Sequence, residues 1–166
     1  LLSRRQRQMC IRDRGFVSTK FERAGTRTME YANCDYAIAT LARGLKEKEI
    51  AQKYMERSRN WQNLWNPDVE SLGFKGFVWP RYSDGSWWSE NDYSVFQGGT
   101  WPDFVYETFS WELSFYVPHD VNALIEKCGG KEQFTRRLDT YFSHEKWDQR
   151  WYICLLYTSD AADDLI

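Results

Sequence analysis

The sequence predicts an all-α protein built from paired antiparallel helices, with a long aromatic-rich loop at one end. Apolar residues recur every three or four positions in several segments of the 166-residue chain, which is typical of amphipathic helices. The connections between the first helical segments are short, which favours antiparallel neighbours. Between about 73 and 103 the helical spacing stops and glycine, proline and tryptophan take over, which predicts the loop.

Composition narrows the possible partners. The net charge is -2, so no strong field of one sign favours nucleic acid as a partner. No run of 18 apolar residues is present, and we therefore predict no membrane span. Aromatic residues make up 17% of the chain, with nine tryptophans. They are efficient core material and also stack on sugar rings, and composition alone leaves both uses open.

Both ends differ in composition from the interior. Residues 1–14 (LLSRRQRQMCIRDR) and 154–166 (CLLYTSDAADDLI) resemble translated sequencing-adaptor read-through. We therefore expect the folded domain to lie within 15–153. Within that range only Cys34 and Cys128 remain, and their spacing indicates neither a zinc site nor a disulfide framework.

The first two predicted helices cover 28–45 and 48–65. The first carries an apolar stripe of Cys34, Ile38, Leu41 and Leu45. The second carries a face of Ile50, Tyr54, Trp61 and Trp65. Asn-Pro-Asp at 66–68 is expected to stop the second helix, because a residue before proline disfavours helical backbone.

The central loop follows. Residues 73–88 contain glycines, a proline and Ser-Asp-Gly, which predicts irregular chain with one short hairpin. The loop continues through Gly-Gly-Thr-Trp-Pro-Asp at 98–103. A loop this long in a compact domain is usually functional.

Three further helical segments complete the chain. The first runs from about Phe104 to Tyr116, before Pro118. The second has an apolar face and is expected to end at Gly129-Gly130, its face being Val121, Leu124, Ile125 and Cys128. The third covers 131–142, with Phe134, Leu138 and Phe142 at four-residue steps.

The stretch YETFSWELSFYVPHD at 106–120 concentrates titratable and aromatic residues. In a helix, Glu107, Trp111 and Ser114 would share one face. A glutamate in the first turn complements the helix dipole. A glutamate buried beside tryptophans would instead have a raised pKa and could act as a general acid, and spacing alone does not decide between these roles.

Three segments, in order, resemble the family 92 glycoside hydrolases, which are calcium-dependent exo-acting α-mannosidases. The family shows a glutamate, a tryptophan four residues later, Val-Pro-His-Asp and a helix ending in Gly-Gly. The matching residues are Glu107, Trp111, Val117, Pro118, His119, Asp120, Gly129 and Gly130. TMEYANCDYAIATLA (28–42) and FVWPRYSDGSW (77–87) resemble two upstream segments of the family. The resemblance covers about 15–150.

The resemblance implies a fold and an activity. The family's fold is an (α/α)6 toroid beside a β-rich domain, so this chain would be a piece of the toroid. The glutamate matching Glu107 is the family's general acid in an inverting reaction on α-mannosides of the N-glycan or mannan type. The implied partners are a mannose-containing oligosaccharide or glycoprotein glycan and the rest of the chain's own catalytic domain. Secretion or a periplasmic location is also implied.

The resemblance implies Ca²⁺ as cofactor, and oxygen ligands suit this hard cation. The family's Gly-Asn-Glu-Pro segment and its paired-aspartate segment, which carries the general base, are not recognisable here. They would lie beyond about residue 150, so we assign no metal ligand within this chain. The isolated chain is therefore predicted to be inactive.

Two departures from the family pattern lie next to the candidate acid. The family commonly has Gly-Asn after the glutamate, where this chain has Thr108-Phe109. The family often has glutamine after the tryptophan, where this chain has Glu112. A second carboxylate near Glu107 would raise the pKa of the acid further.

The remaining candidates for substrate binding each have a structural alternative. Arg81 either reaches a sugar hydroxyl or braces the loop, and Glu30, like Asp35, either faces the toroid axis or is an ordinary solvated charge. His119 and Asp120 either form an acid–base pair or play structural parts, Asp120 as a helix cap and His119 as a packing residue. We expect Trp61 and Trp65 to belong to the core. The full set of candidates is Trp111, Glu112, Arg81, Trp87, Trp88, Trp101, His119, Asp120 and Glu30.

Two non-enzymatic interpretations stay open. The chain could be a noncatalytic helical carbohydrate-binding module that uses its tryptophans, or a purely structural helical domain. A binding module would keep its sugar affinity when Glu107 is replaced by glutamine, whereas a structural domain would have none.

Overall fold

The computed structural model describes residues 14–89, 94–96 and 98–143. The two terminal segments with unusual composition, apart from Arg14, lie outside these residues. The long helix α1 (Ala24–Gly44) is followed by α2 (Lys48–Arg57) and a 3-10 helix (Ser58–Leu64). The strands β1 (Trp65–Ser71) and β2 (Phe74–Val78) come next. After the loop come the short helix α3 (Ser110–Leu113), then α4 (Val121–Lys127) and α5 (Lys131–Ser143). The predicted all-α class is thus confirmed only in part, because a small antiparallel sheet is present.

Helices α1 and α2 form the predicted antiparallel pair. A turn at Leu45–Glu47 joins them, and Arg57 Nε donates to Asp35 Oδ2 at 2.9 Å. These two residues lie at equal sequence distances from Lys46, on either side of the turn, as an antiparallel pair requires.

The buried face of α1 differs from the predicted one. Ile38, Leu41 and Leu45 are 40%, 65% and 66% exposed, and Cys34 is exposed, so the predicted stripe was wrong as a core face. The face that packs against α2 and the 3-10 helix carries mostly small side chains, which allow neighbouring backbones to approach closely. Its buried residues are Ala24, Gly25, Thr28, Met29, Ala32, Asp35, Ala39 and Ala42.

The second predicted helix is shorter than expected. Its α-helical part ends at Arg57 and tightens into the 3-10 helix. Asn-Pro-Asp therefore lies in β1 and does not stop a helix. Ile50 is 44% exposed, whereas Trp61 and Trp65 are 0% and 5% exposed, which confirms that the two tryptophans belong to the core.

The hairpin lies earlier in the chain than predicted. Its register pairs Trp65 with Val78 and Ser71 with Phe74, with an irregularity between Asn66 and Glu70. That irregularity accommodates Pro67, which has no N–H to give to the ladder. The turn at Leu72-Gly73 has positive φ at both residues, the geometry that matches the twist of a two-residue hairpin.

The predicted helix from 104 to 116 was wrong, since only Ser110–Leu113 is α-helical. The next helix ends as predicted, because the N–H of Gly130 donates to the carbonyl of Ile125 at 2.9 Å. The last helix is also confirmed, but its buried residues are Arg137 and Tyr141. Phe142, expected on the apolar face, is 72% exposed.

The core has two clusters of buried apolar side chains. The larger joins α1, the 3-10 helix and the hairpin to the segment 105–124 and includes Met29, Trp61, Leu64, Val78 and Leu124. The smaller is mainly aromatic and consists of Phe74, Phe77, Val95, Phe109, Trp111 and Tyr141. It fixes α3 against the hairpin and α5, and so sets the path of the chain that follows Glu107.

No helix in the described part of the chain combines the length and the apolar character needed to cross a membrane.

Candidate functional site

The loop 98–109 lies across the N-terminus of α1. The first N–H groups of a helix have no partner within it, and α1 has no side-chain cap. The loop supplies one partner, since the N–H of Gly25 donates to the carbonyl of Phe104 at 2.9 Å. Just before the helix, the N–H of Arg23 donates to the carbonyl of Asp103 at 2.7 Å. In return, Thr26 Oγ1 accepts the N–H of Tyr106 at 3.0 Å.

Glu107 follows directly and has left-handed backbone, with φ 54°. Its N–H donates to the carbonyl of Gly99 at 3.3 Å, and its side chain is exposed. The prediction that Glu107 occupies a first helical turn was wrong, because Phe109 is extended and the helix begins at Ser110. The side chain is also not buried beside tryptophans. Left-handed backbone at a non-glycine residue costs about 1–2 kcal/mol and is concentrated at functional sites.

Among the predicted sugar-stacking residues, Trp101 contacts Tyr106, the residue that precedes Glu107. Its ring is 54% exposed and lies 5.3 Å from the ring of Tyr106, nearly perpendicular to it. The Arg23 guanidinium carbon lies 3.5 Å from the centroid of the Trp101 ring. Sequence reasoning missed Arg23, and no local pattern identifies it, since it lies far from Trp101 along the chain.

The carboxyl of Glu112 is half-buried and has its own partners. Thr108 Oγ1 donates to Glu112 Oε2 at 2.7 Å. Burial raises the pKa of Glu112, and hydrogen bonds from Thr108 and Tyr141 lower it in part. Burial also raises the pKa of Tyr141, and the charge of Glu112 adds to that rise. Two of the three residues that depart from the family pattern, Thr108 and Glu112, therefore bind each other.

Trp111 is fully buried. Its Nε1 donates to Ser71 Oγ at 3.2 Å, and its ring packs against the rings of Phe77 and Tyr141 at 5.3 and 6.1 Å. In this structure the ring serves the core, and its contact with a sugar stays a prediction.

Arg81 braces the central loop, which is the structural alternative given for it. Its Nε donates to the carbonyl of Gly85 at 2.6 Å and its Nη1 to the carbonyl of Asn63 at 2.9 Å. The guanidinium carbon lies 4.5 Å from the centroid of the Trp87 ring. Trp88 is stacked on Tyr82 at 5.0 Å. Trp87 and Trp88 are half-buried and pack against other residues of the central loop, so their sugar contacts stay predictions.

His119 and Asp120 contact different partners. His119 Nε2 lies 2.9 Å from the carbonyl of Ser58, and its ring lies 5.6 Å from that of Tyr36. Asp120 occupies the N-cap position of α4, but its side chain does not cap the helix. Its Oδ2 instead accepts a hydrogen bond from the indole Nε1–H of Trp61 at 3.1 Å. The capping prediction was therefore wrong for the side chain, and both residues tie the start of α4 to the region of the 3-10 helix.

Glu30 and Asp35 lie on α1 in different environments. Glu30 is exposed. Burial raises the pKa of Tyr116, and the charge of Glu30 and a hydrogen bond to it add to that rise. Asp35 is only 5% exposed, so it is not an ordinary solvated charge.

A divalent cation needs several oxygen ligands from one region. Over the described residues, no group of three or more histidine, cysteine, aspartate or glutamate side chains could hold a metal ion.

Comparisons with known proteins support the family resemblance. The model of the glycosyl hydrolase family 92 catalytic domain matches residues 3–162. A fungal protein described as an uncharacterized secreted glycosidase, from Arthroderma benhamiae, is 36% identical over 129 residues. That match covers 70% of this chain and 16% of the fungal protein.

Solved structures give the same result. A family 92 inverting mannosidase from Bacteroides thetaiotaomicron superposes with a TM-score of 0.68 at 30% identity, over 79% of this chain and 16% of that one. An α-mannosidase of the same family and organism, solved in complex with mannoimidazole, gives a TM-score of 0.71 at 30% identity, over 84% and 18%. The chain therefore spans less than a fifth of the relatives it matches. The family match, the fungal relative and the two structures together show that this chain belongs to glycosyl hydrolase family 92.

Proposed function

We propose that this chain is part of the catalytic domain of a secreted, inverting exo-α-mannosidase, and that Glu107 is its general acid. The observation that carries the proposal is the placement of Glu107. The residue has left-handed backbone and is fixed by hydrogen bonds at its own N–H and at that of Tyr106. Its side chain is exposed, and the preceding residue, Tyr106, packs against the exposed ring of Trp101.

This arrangement suits proton donation to a sugar. A general acid must reach the leaving glycosidic oxygen from a fixed position, which requires an anchored backbone and an accessible carboxyl. As the bond between the anomeric carbon and that oxygen breaks, the oxygen takes the proton of Glu107. In inverting enzymes a second carboxylate activates water on the opposite face of the sugar ring. The two carboxyl groups lie about 6.5–9.5 Å apart. We place this base, and the ligands of the Ca²⁺ ion that the family implies, in the remainder of the domain. The described residues form part of the (α/α)6 toroid.

Substrate and location follow from the relatives. Two solved relatives are mannosidases, one of them bound to mannoimidazole, which supports α-linked mannose in an oligosaccharide or glycoprotein glycan as substrate. The fungal relative's description as secreted supports secretion. An exposed carboxylate can bind the hydroxyls of mannose, and an exposed indole ring such as that of Trp101 can stack on its apolar ring face.

Replacing Glu107 by glutamine in the full-length protein tests the acid. We expect kcat to fall about 100- to 10,000-fold with methyl α-mannoside, whose leaving group needs a proton. With 2,4-dinitrophenyl α-mannoside, whose leaving group departs without protonation, we expect a small loss. Glu126→Gln, at an exposed carboxylate on α4, is the matched control. Equal losses on both substrates would refute the role of Glu107. If the wild type binds sugar without hydrolysing it, and Glu107→Gln binds sugar equally well, a noncatalytic module is favoured.

Proton NMR of the first product tests the stereochemistry. An inverting enzyme releases β-mannose from an α-mannoside, which then mutarotates. Initial release of α-mannose would exclude the inverting reaction and leave the family assignment intact.

A further inference from the structure

Thr108 directly follows the candidate acid, and its side chain is bound to α3. Its Oγ1 donates to Glu112 Oε2 at 2.7 Å, and both side chains are half-buried. The same hydroxyl lies 3.4 Å from the carbonyl oxygen of Phe109, a much longer contact. The bond to Glu112 spans the extended residue Phe109 and the first turn of α3. It therefore fixes the chain immediately after Glu107 to a helix.

The short helix α3 is itself held in the core. Trp111 is fully buried, and its N–H donates to the carbonyl of Val95 at 2.9 Å. Just after the helix, Ser114 Oγ accepts the N–H of Val78 in β2 at 2.9 Å. Because these contacts fix α3 to the hairpin and to the segment at Val95, Glu112 presents its carboxyl to Thr108 from a fixed backbone.

On the other side, the loop holds Glu107. Its N–H donates to the carbonyl of Gly99 at 3.3 Å. The carbonyl oxygen of Thr108 lies so near Gly98 that a Cβ added there would be 2.8 Å from it. Glu107 has a left-handed φ of 54°, and a non-glycine residue keeps such backbone only where its surroundings enforce it. Contacts of this kind lie on both sides of Glu107.

We propose that the Thr108–Glu112 pair holds the turn at Glu107 and thereby positions the acid for proton transfer to the leaving glycosidic oxygen, an inference that rests on the proposed role of Glu107 as general acid. Thr108 and Glu112 act through Glu107, so both are positioning residues. Without their bond the backbone of Thr108 is free to rotate, and Glu107 can relax from its left-handed conformation. The carboxyl then moves away from the leaving oxygen. Because a misplacement of about 1 Å can cost on the order of 100-fold in rate, even a partial relaxation should be measurable.

Thr108→Val in the full-length protein removes the hydroxyl and keeps the shape of the side chain. We expect kcat with methyl α-mannoside to fall about tenfold, less than the full misplacement cost, because the bond from Glu107 to Gly99 remains. The KM for this substrate and the rate with 2,4-dinitrophenyl α-mannoside should stay at their wild-type values. Thr135→Val is the matched control on α5, where an exposed threonine hydroxyl donates to the carbonyl of Lys131 at 3.0 Å. It should change none of these values.

Variants of Glu112 test the same bond from its acceptor. Glu112→Leu removes the acceptor and should reproduce the loss seen in Thr108→Val. Glu112→Gln keeps an oxygen that can accept the Thr108 hydroxyl and should recover most of that loss. A loss in Glu112→Gln as large as in Glu112→Leu would show that the carboxylate charge, and not the bond to Thr108, matters, and would overturn the inference. No loss in Thr108→Val, or equal losses on both substrates, would overturn it as well.

A double variant separates positioning of the acid from a general structural effect. If Thr108 acts only through Glu107, then Thr108→Val has no further effect once Glu107→Gln is present. Persistence of the loss in that background would contradict the inference. If Glu107→Gln depends on the leaving group and Thr108→Val does not, the proposed function stands and only the positioning role fails. If Glu107→Gln itself shows no such dependence, the proposed function fails.

Discussion

Asp35 and Arg57 form a buried ion pair between α1 and α2. Their side chains are 7% and 31% exposed, and the Nε–Oδ2 distance is 2.9 Å. Burial raises the pKa of Asp35, and the charge and hydrogen bond of Arg57 lower it only in part. The folded state therefore holds the Asp35 proton more tightly than the unfolded state. The contribution of this group to stability is greatest at low pH and decreases as the pH rises through the raised folded pKa.

Arg57→Met removes the partner and leaves a buried carboxylate. We expect a loss of about 3 kcal/mol in the free energy of unfolding at neutral pH, a typical cost of breaking a buried pair. The loss should be smaller at about pH 4, where the unpaired Asp35 becomes protonated. Urea unfolding at both pH values measures the difference. The double variant Asp35→Asn/Arg57→Met should recover most of the loss, and a loss independent of pH would contradict this account.

Because Glu107 has left-handed backbone, a substitution there is expected to change stability and activity in opposite directions. Glycine adopts this conformation without strain, so we expect Glu107→Gly to raise the free energy of unfolding by about 1 kcal/mol while abolishing hydrolysis of methyl α-mannoside. Glu107→Gln should lose activity without gaining stability. Thermal melting of the three proteins, each assayed in parallel, provides the comparison. A stability loss in Glu107→Gly would indicate that the carboxylate, and not the strain, dominates at this position.

At the scale of elements, the hairpin depends on two glycines for different reasons. Gly73 in the turn has φ 80° and open space around it, whereas Gly76 in β2 has φ 85° and its added Cβ would lie 2.6 Å from Trp65 Nε1. We expect Gly73→Ala to cost about 1 kcal/mol from backbone strain alone. Gly76→Ala should cost about 3 kcal/mol, because overpacking adds to the strain. Denaturant titration of both variants measures this difference, and equal costs would show that the Trp65 ring moves aside.

The sequence predicts elements well where local pattern and packing agree. The α4–α5 pair and its Gly-Gly boundary follow from helical spacing and stop signals, and the structure confirms them. On α1 the most apolar stripe is exposed, because helix contact there selects small side chains such as Ala32 and Ala39. The 104–116 segment has helical spacing because Val105, Phe109 and Leu113 are core residues at four-residue steps, yet the loop's hydrogen bonds to α1 hold its first half in a non-helical path.

In the candidate site, too, sequence motifs predict some features, whereas contacts between distant segments decide others. The motif order predicts Glu107 as the candidate acid without any geometry, because the prediction rests on the family resemblance. The surroundings of Glu107 depend on contacts between distant segments, so no local pattern revealed Arg23 or the burial of Trp111. Arg137 is a similar case. It is 1% exposed and lies among aromatic rings, 4.0 Å from the centroid of Phe77, although its position in the sequence is that of a solvated helix charge.

At the scale of the whole molecule, apolar side chains remain exposed on several elements. Leu41, Leu45, Trp101 and Phe142 are each more than half exposed. In a larger domain such side chains are covered by further chain, and uncovered they promote association.

The isolated 166-residue chain should therefore associate and release no measurable mannose. Size-exclusion chromatography and a mannose-release assay on the purified chain test both statements. Leu41→Lys/Leu45→Glu should reduce association without restoring hydrolysis. A monomeric isolated chain that hydrolyses α-mannosides at the rate of the full-length protein would overturn the proposal that the base and the calcium ligands lie elsewhere.

The hydrogen bond between Thr26 and Tyr106 joins residues 80 positions apart, which has a consequence for the order of folding. Closing so large a loop is entropically costly, and contacts of this kind form late relative to local helices. During synthesis α1 emerges well before the segment that carries the acid. The hydrogen bonds between the N-terminus of α1 and that segment can therefore form only after the segment has been made. The geometry of Glu107 should therefore be among the last features acquired during folding, and on gentle heating catalytic competence should disappear before the helical signal does.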